Sequence, residues 1–578
     1  MKHTLLTLAG LLLAPAAVLI AADGPPPAQR MAVLPPHPWG VYTWGSDRAE
    51  LPKEMPVKGI PLTLRWSQLE PQSGKFDFDQ QVRVPLEQAR ARGYYVHLMV
   101  WVAPDKHTPP WLFDLGVPRV EVPERIDPTR KLVQPGFPYY FSPIYKERFH
   151  GMIQALGDYV AGLPADLKSR LVFVQVAEGS TGDGQPYKGT PTDARYEISK
   201  PEWSEFRRET WAVYQKAFQR ADGSVNLALL VNGDANNAAE NAWLLDHNNV
   251  FGTKQGMFSH GYLVSDTVER LAEMEKFRAE ARARGKVVFT RGEQDGEWQV
   301  CGWSKQNPPQ AFYWAALFAL QCKLDIWNVP VDALRTQPIG EAVRIFNRYA
   351  GYNEAAESPV AFCALRRGLD AADTKTFPEA KFGAATRKNL ARYLAIAKAF
   401  APFGARQGDP QKALGGGMVN RQADDQNNVG WGILPGNFER WLTQINPEDT
   451  SLGVWNLESA KQPYGLFARR FDAASDRTEM RFRLADGFFK NPAEPHSMRI
   501  GVVYLDRGRG SWSLIYANPD GEKAACTVTL ANSGKWRDVV LTLPDAVWNH
   551  RLSSGGDLAL RHVSGDDTTF HLIELEKQ

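Results

Sequence analysis

Two carboxylates stand where apolar runs of the sequence end. Glu178 closes "LVFVQVAE" (171–178) and Glu293 closes "KVVFTRGE" (286–293). An acidic side chain at the end of a buried run is costly unless a charge partner or hydrogen bonds compensate it. One chemistry uses two such groups together, the cleavage of a glycosidic bond. A carboxylic acid protonates the departing oxygen, and an ionised carboxylate attacks or stabilises the oxocarbenium-like centre. A gap of about 5–5.5 Å between them gives retention through a covalent intermediate, and a wider one admits water and gives inversion.

Other residues at or near the ends of apolar runs suit the same task. Arg65 and Trp66 close "GIPLTLRW" (59–66), His97 and Trp101 lie in "YYVHLMVWV" (94–102), and Asn232 ends "NLALLVNG" (226–233). His260 and Tyr262 lie in "GMFSHGYL" (256–263), and Trp327 in "LDIWNVP" (324–330). Indole rings stack on sugars, and Arg, His, Tyr and Asn supply hydrogen bonds to hydroxyls and carboxylates. "RGEQDGEW" also offers Asp295 and Glu297. Glu293 is favoured as nearest the strand, and Glu297 stays among the substrate-contacting candidates. Asp183, in "GSTGDG", either contacts substrate or caps its turn. Each residue also has an ordinary reading: Arg65 as a partner of Glu70, His97 as a satisfied core histidine, the tryptophans as packing.

These residues need a frame that brings distant strand ends together. Besides the runs above, "GVYTW" (40–44) reads as a strand, and helix-patterned segments such as "DTVERLAEMEKFRAEARARG" fall between the strands. Eight strands alternating with helices predict an α/β fold, a (β/α)8 barrel whose functional residues gather at the C-terminal strand ends. An open doubly wound sheet is the runner-up, but no strand is followed by G-x-G-x-x-G. A Pro- and aromatic-rich insertion after Val102, with Trp111, Phe113, Phe137, Tyr139, Tyr140 and Phe141, is expected to form a wall above the mouth. "PPQAFYWAALFALQC" reads as a well-buried helix.

The expected organisation is an export signal at 1–22, a barrel at 23–400, a linker at 401–428 and a β-sandwich, jelly-roll-like, at 429–578. Lys2, the apolar stretch Leu5 to Ile20 and the small Ala21 and Ala22 carry the signal, an uncleaved anchor being the alternative. The protein is then secreted or periplasmic, with no membrane association after signal removal. The sandwich is expected to buttress the barrel rather than bind polysaccharide. With 67 Lys and Arg against 65 Asp and Glu, and no basic block, nucleic acid is not an expected partner. No H-x-H, H-E-x-x-H or G-x-S-x-G occurs, so no metal, cofactor or serine nucleophile is expected. The expected partner is a carbohydrate, an oligo- or polysaccharide.

The stretch "LRWSQLEPQSGKFDFDQQVRVPLEQARARGYYVHLMVWVAP" (64–104) resembles the second and third units of glycoside hydrolase clan A, the retaining (β/α)8 glycosidases. "PPWL" (109–112) is similar to its β-galactosidase branch. The resemblance covers roughly 38–335. It implies Glu178 as acid/base, Glu293 as nucleophile, Arg65 and Tyr262 orienting and polarising the nucleophile, and Trp327 flooring the sugar subsite. The implied activity is retaining hydrolysis of a β-linked, galactose-containing or related carbohydrate. Clan members usually carry Asn before the acid/base, and this chain has Ala177. Either Asn232 or Gln175 does that job, or the substrate lacks a free 2-hydroxyl, or Glu178 is not the acid. A carbohydrate-binding protein without catalysis is the alternative function.

Overall fold

Eight short runs rich in Val, Leu, Ile and Phe form eight parallel strands: β1 (Gly40–Trp44), β2 (Gly59–Arg65), β3 (Tyr95–Trp101), β4 (Leu171–Gln175), β5 (Ala228–Val231), β6 (Val250–Gln255), β7 (Val287–Glu293) and β8 (Ile326–Pro330). Each pairs with its neighbours in sequence order, and β1 pairs with both β2 and β8, so the sheet closes into a barrel. The computed structural model describes residues 37–45, 51–52, 55–122, 136–181, 184–232, 237–255, 268–294, 296–299, 307–405, 429–432, 434–455, 467–553 and 555–578. The expected signal at 1–22, most of the linker, Asp183, His260 and Tyr262 lie outside the described residues, as does the side chain of Glu297.

The expected sixth strand is displaced. The run "GMFSHGYL" was the more apolar choice, yet β6 is Val250–Gln255, directly before it. This strand has Gly, Thr, Lys and Gln after its first two residues, so its composition hides it.

Rings fill the lower barrel. His97 stacks on Phe173 at 4.7 Å, Phe173 meets Phe289 at 5.3 Å, and Tyr42 lies 5.8 Å from His97. Phe173 and Phe289 belong to β4 and β7, which are not paired, so their contact crosses the interior. Gly252 makes room for this layer: a Cβ there would stand 2.4 Å from the Phe289 ring.

β4 carries a bulge. Val96 of β3 faces Leu171, but Leu98 faces Val174, one residue more on β4 than on β3. Beyond the bulge Gln175 points inward, while Val174 and Val176 join the apolar layer between sheet and helices. A bulge re-aims every side chain that follows it.

The helix Lys200–Phe218 packs its Trp203, Phe206, Trp211 and Tyr214 into that layer. It starts at a capping box in which Ser199 accepts from the Glu202 N–H and Glu202 accepts from the Ser199 N–H. Part of the aromatic insertion also turns inward. Phe137 and Tyr140 are buried, Tyr140 lies among Tyr145, Tyr187, Trp203 and Phe206, and its hydroxyl donates to the Pro186 carbonyl at 2.8 Å. Phe137 and Tyr140 are thus core under the insertion, while Trp111, Phe113, Tyr139 and Phe141 are half-buried.

The C-terminal part is two antiparallel sheets with an apolar core between them that includes Phe482, Ile500, Trp512 and Phe570. One of its strands, Val360–Ala364, comes from the stretch assigned by sequence to the barrel, and it pairs with Leu572 to Glu576. The sandwich therefore begins before 400. Its docking surface is the helix Pro308–Gln321, whose Trp314 meets Phe467 at 4.6 Å and Phe438 at 5.8 Å. Arg440 donates to the Leu320 carbonyl at 2.8 Å. Covered by the barrel on one side and the sandwich on the other, this helix is apolar all round, as its sequence foretold. No helix among the described residues is long and apolar enough to cross a membrane.

Candidate active site

Because side chains alternate along a strand, one face of each barrel strand looks inward. At the C-terminal end the inward positions are Trp44 (β1), Arg65 (β2), Trp101 (β3), Ala177 (after β4), Asn232 (after β5), Lys254 (β6), Glu293 (β7) and, one layer lower, Asn328 (β8). Trp44, Arg65, Trp101 and Asn232 are half-buried there.

Glu293 is the centre of this ring. Its carboxylate is almost wholly buried, with Oε1 2.6 Å from Lys254 Nζ and Oε2 2.9 Å from an Arg291 nitrogen. Burial alone raises its pKa, but the charges of Lys254 and Arg291 and their hydrogen bonds more than reverse this. The carboxyl is held below its ordinary value. It is thus a carboxylate with both oxygens occupied by cations, suited to attack or to stabilise positive charge and not to donate a proton.

Arg291 is itself fixed at every edge. It is fully buried, and its Nε donates to Asn328 Oδ1 at 2.6 Å while a terminal nitrogen donates to Gln175 Oε1 at 3.0 Å across the barrel. Its guanidinium carbon lies 4.6 Å from the Trp44 ring centre. Asn328 in turn donates to the Thr43 carbonyl at 2.7 Å. A guanidinium desolvated this completely is stable because three of its nitrogens donate to fixed acceptors and its face lies against the Trp44 ring.

Glu178 is elsewhere. It is fully buried on the helix side of β4, one position out of step with Gln175. Its Oε1 accepts from Arg207 Nε at 3.2 Å and from Trp211 Nε1, both on the helix Lys200–Phe218. Arg207 also donates to Glu240 at 2.7 Å and to the Asn232 carbonyl. Glu178 Oε2 has no partner among the described residues. The expected acid/base therefore ties a strand end to its helix and does not face the mouth, a consequence of the register set by the bulge.

Two of the expected tryptophans share this displacement. Trp66 is fully buried against Tyr145 and Phe149 and donates to Glu70 Oε2 at 2.9 Å. Trp327 is fully buried between Phe312 and Phe346 of two helices. Both are packing residues, and neither floors a sugar subsite. His97 lies inward but below the mouth, fully buried in the ring layer, and burial followed by the Arg291 charge keeps it neutral. Arg65 is inward and at the mouth, yet the guanidinium that holds Glu293 belongs to Arg291. Trp101 stands at the mouth beside His107, ring centres 5.0 Å apart.

Sequence reading missed Arg291, Lys254, Asn328 and Trp44. Three of these had a usable signal: Arg291 is two residues before Glu293 on the same face, Asn328 is one residue from the chosen Trp327, and Trp44 closes "GVYTW". Lys254 had none, since its strand was misplaced. Among the described residues no three His, Cys, Asp or Glu side chains are grouped to hold a metal ion.

No family model and no curated protein matches the chain. Among solved structures it is similar to the catalytic domain of a β-amylase from Paenibacillus polymyxa, at 10% identity and a TM-score of 0.36 over 54% of this chain and 96% of that one. A β-galactosidase from Marinomonas ef1 gives 13% and 0.35 over 54% and 59%. A xylanase from Cellvibrio japonicus gives 13% and 0.33 over 55% and 98%. The fold assignment rests on the observed closure of the barrel.

Proposed function

We propose that the chain is a clan A glycoside hydrolase that cleaves β-glycosidic bonds by double displacement, with Glu293 as nucleophile. The observation that carries this reading is the Glu293 carboxylate, held ionised by Lys254 and Arg291 at the mouth end of β7. β3, which ends in half-buried Trp101, stands opposite β7 in the ring and offers a face on which a sugar can rest.

In this reading Glu293 attacks the anomeric carbon while a second acid gives its proton to the departing oxygen. Glu178 faces the helices, so the acid role passes to the segment that follows it, where Asp183 stands. The described backbone on either side of Asp183 borders the mouth. The Thr181 N–H donates to the Ala103 carbonyl beyond β3 at 3.0 Å, and a Cβ on Gly184 would lie 3.0 Å from the Asn232 carbonyl oxygen beyond β5. The substrate is a β-linked, galactose-containing or related oligo- or polysaccharide, as the resemblance at 64–112 implies, and the apolar N-terminus supports a secreted or periplasmic enzyme.

The burial of Glu178 on Arg207 favours one other reading, a carbohydrate-binding protein without catalysis. One experiment separates them. The full chain is incubated with a panel of β-linked glycans, new reducing ends are measured, and the first product's anomeric configuration is read by NMR. Cleavage with retention supports the hydrolase, and binding without new reducing ends supports the alternative.

Lys254→Met is expected to raise the Glu293 pKa by removing the foremost of the influences that lower it. A group with a depressed folded-state pKa serves above that value and fails as pH falls through it. The acid limb of kcat/KM should therefore move to higher pH in the variant, while the alkaline limb stays. A pH–rate profile with an unmoved acid limb would assign that limb to another group.

A further inference from the structure

Arg65 and Arg291 face the same barrel interior but are treated differently. Arg291 spends its donors on Asn328, Gln175 and Glu293. The side chain of Arg65, half-buried at the mouth, has no hydrogen bond or ion pair with the described residues. Its register partner on the next strand is Trp101, also half-buried. A half-buried guanidinium whose donors meet none of the described residues is well placed to meet an anion.

The surroundings reinforce the positive field. His107, against Trp101, is held neutral with a pKa lowered to about 3, first by burial and then by Lys106, Arg65 and Lys188. Across the ring, Glu293 is the single carboxylate among the described inward mouth positions, and Lys254 and Arg291 already cover it. The described inner ring therefore carries surplus positive charge on the Arg65 side.

We infer that the mouth contains an anion subsite in which Arg65 grips a carboxylate or sulfate ester on a sugar ring resting against Trp101. The substrate is then an acidic glycan, either uronate-containing or sulfated. This rests on the glycosidase reading of the same site and adds the class of sugar. Carboxylate and sulfate both accept paired N–H donors in one plane, which a lysine cannot reproduce.

The test uses three tetrasaccharides on the full chain: a neutral agarose fragment, a sulfated carrageenan fragment and a β-linked oligomannuronate. Binding is measured by calorimetry with the Glu293→Gln variant, and turnover with the unaltered chain. One charged ligand is expected to bind roughly 10- to 100-fold more tightly than the neutral one. Arg65→Gln should collapse that ratio toward one, Arg65→Lys should restore it only in part, and added salt should weaken the charged ligand selectively. Which charged ligand responds identifies the anion. Equal affinity for neutral and charged ligands, or a ratio unchanged in Arg65→Gln, overturns the subsite. Charged ligands that bind through Arg65 yet are never cleaved keep the subsite and sink the hydrolase reading. Neutral glycans cleaved with no charge preference do the reverse.

Discussion

Glu293→Gln is expected to lower turnover on a cleaved glycan by on the order of 10⁴- to 10⁶-fold, the scale on which a nucleophile inseparable from its neighbours is lost. The glutamine keeps the shape of the side chain but cannot carry charge, so the anomeric carbon meets no anion. Lys254 and Arg291 then face a neutral amide in a dry site, and a modest fall in stability should accompany the loss. Glu293→Ala opens space for azide. On a β-linked substrate with a good leaving group, azide nitrogen bonds the anomeric carbon as the leaving group departs, and the product is the α-glycosyl azide. Restored turnover with that configuration identifies Glu293 as the nucleophile. A variant that folds and turns over as before would remove it from the mechanism.

The second large effect concerns Glu178 and is one of stability. Glu178→Ala removes the acceptor of Arg207 and Trp211, both shut off from water on the helix side of β4. Breaking a buried pair by deleting one partner costs about 3–5 kcal/mol. A lower midpoint in urea unfolding followed by tryptophan fluorescence is expected, with Glu178→Gln intermediate because its amide oxygen still accepts. Arg207→Met should cost more, because it also takes a donor from buried Glu240 and from the Asn232 carbonyl, and the double variant less than the sum, since Glu178 and Arg207 share one interaction. If Glu178→Ala instead kept full stability, lost hydrolysis and gave a β-glycosyl azide with azide, Glu178 would return to the acid role.

The contrast between these glutamates marks what the sequence made legible. Apolar runs separated by helix-patterned segments announced the barrel, and they placed seven of the strands. The inward position of Glu293 was legible because it ends a run whose length and register are regular. Glu178 was misread because facing depends on counting residues in pairs, and the bulge between Val96 and Leu98 of β3 and their β4 partners changes the count. Trp66 and Trp327 were misread for the related reason that a strand end presents two neighbouring residues to opposite faces. Arg65 rather than Trp66, and Asn328 rather than Trp327, are the inward members. Lys254 was out of reach, because β6 is polar after its first two residues and its partner strands, not its own composition, hold it in place.

The helix Pro308–Gln321 has a consequence for how this chain can be divided or inherited. Trp314 and Phe318 on that helix touch the sandwich residues Phe438 and Phe467. Severed before the sandwich, the barrel would present an oily flank to water and is expected to clump. The two halves are thus not interchangeable cassettes: shuffling the C-terminal module for another would require re-tailoring the flank on which it sits.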